Sequence, residues 1–168
     1  LDKAGSKYQG WTTTHPSFPN WGLDSWSLEG HVGGHYLTAL AMAYSAISDE
    51  NLRGQLKDRL DYCITILNDC QEAFDDNSNG LKGFIGGQPI NQIWTGLYAN
   101  DLTEFRKYGG WVPFYCEHKV LAGLRDAWIY AGNEQAKECF RKLCQWSADV
   151  VSKLSYSDMQ NVLGWEHG

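Results

Sequence analysis

Three histidines stand at comparable points of a repeating pattern. His35 lies in Gly33-Gly34-His35-Tyr36, His118 in Cys116-Glu117-His118-Lys119, and His167 in the closing Glu166-His167-Gly168, with separations of 83 and 49 residues. A neutral imidazole donates one hydrogen bond and accepts another, which suits a ring of sugar hydroxyls. Each histidine taken alone also reads as a satisfied structural residue; three in register favour a shared site. Among His35, His118 and His167 themselves no HxxxH or HxH spacing supports a metal site made by the three. The pairs Glu117-His118 and Glu166-His167 offer carboxylates for acid–base work. Neighbours on a helix point about 100° apart, so neither pair is a dyad by itself. Either glutamate also reads as a surface charge or as a group that orients its histidine. Asp24 and Glu29 are weaker candidates, and Lys119 reads as a helix-surface charge.

The cysteines Cys63, Cys70, Cys116, Cys139 and Cys144 form no CxxC pair. Their odd number and their spacing inside helical patterns read as small buried thiols rather than as a zinc site or a disulfide framework. They leave the compartment open. No phosphate-cradling glycine motif and no GxSxG elbow occurs.

The elements that position these residues are helical. Tyr36, Leu37, Leu40, Ala41 and Tyr44 follow one helix face, with further apolar residues between them, so this helix is expected to be buried on several sides. After a Ser48-Asp49-Glu50 turn, Leu52, Leu56, Leu60, Cys63, Leu67 and Cys70 step by three or four, leaving a charged face wet. Residues 75–112 break the rhythm as a long loop, a feature that is usually functional. Pro113 opens a third helix carrying Val120, Leu121, Leu124, Ala127 and Trp128, and Gly132-Asn133 ends it. Cys139, Phe140, Leu143, Trp146, Val150 and Leu154 mark a fourth, and Tyr156–Trp165 a short fifth. The expected helices are 35–47, 51–73, 113–131 and 134–154. Residues 1–33 read as an aromatic, ordered loop.

The unit, an apolar helix, a tight turn and an amphipathic helix, occurs twice, with the turns Asp49-Glu50 and Asn133-Glu134 offset by 84 residues. Inner and outer helix hairpins of this kind build α/α toroids, and two of them cannot close one. The fold class is therefore all-α, a partial (α/α)6 barrel. Residues 1–168 read as a segment of a single α/α-barrel catalytic domain, truncated at both ends, or as a unit that packs on another chain. Inner-helix starts share one rim of a toroid, so His35, His118 and His167 should converge there, where helix N-termini add positive potential.

Composition bounds the partners. The chain has 168 residues, 14 Lys+Arg against 20 Asp+Glu, and a formal charge of -6, which argues against nucleic acid or an anionic membrane as the main partner. No apolar run approaches the roughly 18–20 residues of a membrane span. The 8 Trp and 18 Gly exceed the needs of a small core and suit either a site that stacks flat rings or packing between helices.

Four ordered segments carry a resemblance. Gly34-His35-Tyr36-Leu37-Thr38-Ala39-Leu40-Ala41, Gly80-Leu81-Lys82-Gly83-Phe84-Ile85-Gly86-Gly87, Val112-Pro113-Phe114-Tyr115-Cys116-Glu117-His118-Lys119-Val120-Leu121-Ala122-Gly123-Leu124 and Leu163-Gly164-Trp165-Glu166-His167-Gly168 are similar, in order, to motifs of the β-L-arabinofuranosidase family, glycoside hydrolase family 127 and its relatives. The resemblance implies the (α/α)6-barrel catalytic domain of a retaining exo-glycosidase acting on L-arabinofuranosides or related plant-glycan sugars. It implies substrate contacts at His118 and His167, to which the rim argument adds His35 and Glu166. It also implies a zinc-bound cysteine thiolate as nucleophile and a glutamate as acid/base. None of the five cysteines matches the family's zinc ligands, so no catalytic residue, metal site or cofactor is assigned to residues 1–168, and zinc would enter through ligands beyond Gly168. Residues 88–111 depart from the family pattern, and the chain begins after the first helix expected. The rival reading is a non-catalytic α/α repeat that binds carbohydrate or protein; a sugar epimerase on the same barrel is a third. Uncovered inner-helix faces would favour self-association of the chain.

Overall fold

The computed structural model describes residues 30–74, 80–87, 93–103, 112–164 and 166. Within them lie α1 (His31–Ala46), α2 (Glu50–Glu72), α3 (Trp94–Tyr98), α4 (Pro113–Ala131), α5 (Glu134–Val151) and α6 (Tyr156–Leu163), and no strand. The fold is all-α. The aromatic stretch with Trp11, Trp21, Trp26, Asp24 and Glu29, and His167, lie outside the described residues.

The two hairpins repeat in their chemistry as well as their length. Asp49 caps α2, its Oδ1 accepting from the N–H groups of Asn51 and Leu52 at 3.0 Å, and Asn133 caps α5 by accepting from Ala136 N–H at 2.7 Å. Glu50 and Glu134 follow the caps and pair one turn on with Arg53 and Lys137. These acids sit where helix N-termini favour negative charge. Gly132, at φ 62, closes α4 in the left-handed region that a Cβ disfavours. Asn133 also donates from Nδ2 to Asp61 Oδ1 at 2.8 Å, tying the α4–α5 turn to α2.

Helices α1 and α4 form the inner pair, and α2 and α5 the outer one. The inner pair runs parallel: His31 approaches Tyr115, and two turns later the Thr38 hydroxyl donates to Asp126 Oδ2 at 2.9 Å. The seam works because it is made of glycine. A Cβ on Gly34 would lie 2.0 Å from the Lys119 carbonyl oxygen, and one on Gly123 would lie 2.5 Å from the carbonyl oxygen of Gly34. Two helices approach this closely only where side chains are missing.

Three expectations change. Helix α1 begins one turn early, at His31, so His35 sits in its second turn rather than at its start. Second, α1 is not covered on several sides. Gly34, Leu37, Leu40 and Ala41 are buried, whereas Tyr36 is 46% and Met42 48% exposed. Tyr36 and Leu40, with Leu52, Leu56 and Tyr62 of α2, line an open groove of about 640 Å³ between the two helices of the hairpin. Leu52, expected in the apolar face of α2, is thus exposed in that groove.

Third, the described parts of the 75–112 stretch, 80–87 and 93–103, contribute to the core. Leu81, Phe84, Ile85, Ile93, Trp94 and Leu97 are all buried. Phe84 packs 4.8 Å from Trp146 and Trp94 5.1 Å from Trp146, centroid to centroid, with Phe74 and Phe114 at the flanks. Edge and tilted ring contacts of this kind add to the burial itself. Gln71 donates to the carbonyl oxygens of Gly83 and Cys139, and Trp146 Nε1 donates to that of Gly80, so the 80–87 loop is bonded to both outer helices. Trp94 and Trp146 are core residues, and Trp128 packs on Phe140. None of these three is a platform for a flat ligand.

Candidate sugar-binding rim

The N-terminal turns of α1 and α4 lie side by side because the glycine seam aligns them. His31 and His35, one turn apart on α1, have ring centroids 6.2 Å apart, and His31 lies 6.0 Å from Tyr115 of α4. Lys119, the helix-surface charge expected, holds its Nζ 4.8 Å from the centre of the Tyr115 ring, a cation over an aromatic face. His118 is exposed one residue before it.

These groups sense one another. Partial burial, then the positive charges of Lys119, His31 and His118, hold the His35 imidazole below its ordinary value of 6.5. His35 is therefore neutral at pH 7 and keeps one donor and one acceptor nitrogen. The structure thus brings His35 and His118 onto one rim.

Glu166 arrives at the same place from the end of the chain. Its Oε1 accepts from Phe114 N–H at 2.9 Å and its Oε2 from Tyr115 N–H at 3.2 Å. The carboxylate thereby satisfies the first turn of α4, which has no side-chain cap of its own. Val112, just before that turn, is buried at φ 49 and ψ 53. A β-branched residue held in the left-handed region costs on the order of 1–3 kcal/mol, and such strain collects at functional sites.

Sequence reasoning missed His31 and the packing of Glu117. His31 falls in the stretch whose sequence predicts a loop, although it precedes His35 by one helical turn. Glu117 is buried, and burial raises its carboxyl well above the ordinary 4.5. Its spacing carries the signal: with Pro113, Val120 and Leu124 it falls on the inward stripe of α4.

The cysteines do not fit the zinc thiolate that the family resemblance implies. Cys63 and Cys70 lie on α2, Cys116 on α4, and Cys139 and Cys144 on α5. Burial pushes the thiols of Cys63, Cys70 and Cys144 up, and that of Cys139 to about 11, the reverse of what a nucleophile or ligand requires. Among the described residues no three His, Cys, Asp or Glu side chains gather as a metal would need. Nor is any described helix long and apolar enough to cross a membrane.

Comparison with known proteins accounts for the whole chain at family level. The model of the β-L-arabinofuranosidase GH127 catalytic domain matches residues 1–168. No curated protein matches the chain. The match spans both hairpins and the rim between them, and the chain belongs to the β-L-arabinofuranosidase GH127 catalytic-domain family, a family of glycoside hydrolases.

Proposed function

We propose that residues 1–168 are the N-terminal part of a catalytic domain that hydrolyses L-arabinofuranosides or related plant-glycan sugars, and that they supply a sugar-binding wall rather than the reacting groups. The observation that carries this reading is the convergence of His31, His35, Tyr115, His118 and Lys119 on one rim. Imidazoles, a phenol and an ammonium give a mixed set of donors and acceptors, matched to hydroxyls that each donate and accept. A furanose held there is fixed in position, which lowers the entropic part of the barrier for groups brought from elsewhere. Glu166 acts mainly by fixing the first turn of α4, through which it orders Tyr115 and His118. His167 remains in the proposal as a sugar ligand on the resemblance alone.

The nucleophile, its zinc and the acid/base carboxyl are assigned by this reading to sequence outside residues 1–168. When bound, zinc would serve to activate a thiolate; the residues described here would orient the sugar. The test is an assay of two proteins, the chain alone and a complete domain containing it, against aryl β-L-arabinofuranoside, aryl α-L-arabinofuranoside and aryl β-D-xyloside. The complete domain is expected to turn over an L-arabinofuranoside, and the chain alone none of the three. The chain alone is also expected to self-associate in sedimentation, through the exposed Tyr36, Leu52 and Tyr62 groove. Turnover by the short chain, or a complete domain active only on the xyloside, would overturn the assignment.

A further inference from the structure

Glu117 immediately precedes His118, but its side chain turns inward, and the residue is 3% exposed. Its Oε2 has no hydrogen-bond partner among the described residues. Burying an unpaired carboxyl costs stability that an apolar side chain of similar size would not. What Glu117 faces suggests what that cost maintains.

A Cβ on Gly86 would lie 2.2 Å from Glu117 Oε1 and 2.5 Å from the Phe84 ring. The loop passes directly over the carboxyl and needs glycine to do so. One residue on, Gly87 N would lie 2.9 Å from a Cβ on Gly30, the residue that opens α1 at φ 96. The carboxyl, the Gly86–Gly87 backbone and the first turn of α1 therefore form one continuous stack that ends at His31. The far end of the loop is fixed independently by Gln71 and Trp146.

We infer that Glu117 is a positioning residue for the sugar rim: its buried carboxyl seats Gly86–Gly87 against the first turn of α1 and so sets the spacing between the His31/His35 turn and the His118 turn. The inference rests on the sugar-binding reading of that rim. Glu117 touches no substrate in this role; it acts through the loop. Burial raises its carboxyl well above the ordinary value and so disfavours the charged form; in the contact with Gly86 its shape and hydrogen-bonding capacity carry the role. Glutamine supplies both.

The experiment uses a complete catalytic domain with Glu117→Ala, Glu117→Gln and Gly86→Ala variants. Glu117→Ala should raise KM for an aryl β-L-arabinofuranoside by about tenfold with kcat held within about threefold, the pattern of lost binding rather than lost chemistry. Glu117→Gln should restore KM to within about twofold. An unchanged KM in Glu117→Ala, or a Gln variant as impaired as the Ala variant, would overturn the inference. If Glu117→Ala fails to fold, Gly86→Ala presses on the same contact from the loop side and must raise KM; an unchanged KM there overturns it equally. Imidazole NMR of the same proteins needs no turnover. The His31 and His35 resonances should move in Glu117→Ala and return in Glu117→Gln, and resonances unmoved by Glu117→Ala would contradict the positioning role. Should the parent domain act on no arabinofuranoside, the sugar reading fails while the imidazole spectra still decide the role of Glu117.

Discussion

Gly34→Ala is expected to destabilise the protein by at least about 3 kcal/mol, lowering the melting midpoint by roughly 6–12 °C. The added methyl would sit 2.0 Å from the Lys119 carbonyl oxygen and 2.1 Å from its carbonyl carbon. Both are backbone atoms in the middle of a helix, so no side chain can rotate away. The inner helices must separate, and separation uncovers Leu37, Ala41, Val120 and Leu124 together. Overpacking ordinarily costs about 1–3 kcal/mol; the rigid neighbour places this case at or above the upper end. Gly33→Ala is the control. A Cβ there would meet nothing within 4 Å, and a helical Gly-to-Ala change is favourable by up to about 1 kcal/mol. Differential scanning calorimetry of the two variants checks the pair. Equal midpoints would show that α1 and α4 are not seated on this glycine seam.

The contrast between these two glycines marks what the sequence could disclose. Asp49, Pro113, Gly132 and Asn133 are local signals with local causes, and the helices they bound appear where expected: α2 at Glu50–Glu72, α4 at Pro113–Ala131 and α5 at Glu134–Val151. The start of α1 has no such signal. Gly30 caps it without a side chain, and Gly33-Gly34 weakens the propensity of its first turn; the contacts at that end are tertiary, to Gly87 and to Lys119. The 80–87 loop and α3 are likewise ordered by burial against Trp146 rather than by any pattern of their own.

At the site, the register of the repeats puts His35 and His118 on the two inner helices, which lie side by side and run parallel. Glu166 came with them, but as a partner of the α4 N–H groups. Glu117 was hidden by its type: a glutamate beside a histidine reads as surface or catalytic charge, and only the loop above it makes it a buried acid.

The largest functional effect follows from His118, which belongs to the exposed face of the rim and has no core packing to lose. Replacing it with alanine in a complete domain removes up to two hydrogen bonds to the sugar and should leave folding intact. A lost bond to a substrate hydroxyl is worth roughly 1–3 kcal/mol, or about 5- to 150-fold in kcat/KM. His35→Ala should behave alike, since its neutral imidazole offers the same donor and acceptor. The decisive measurement is kcat/KM of the complete domain and its His118→Ala variant on an aryl β-L-arabinofuranoside, with melting midpoints recorded alongside. The account predicts a fall of about 5-fold or more with the midpoint unmoved; unchanged kcat/KM in a folded His118→Ala protein would contradict it and take the rim of α1 and α4 out of the sugar site.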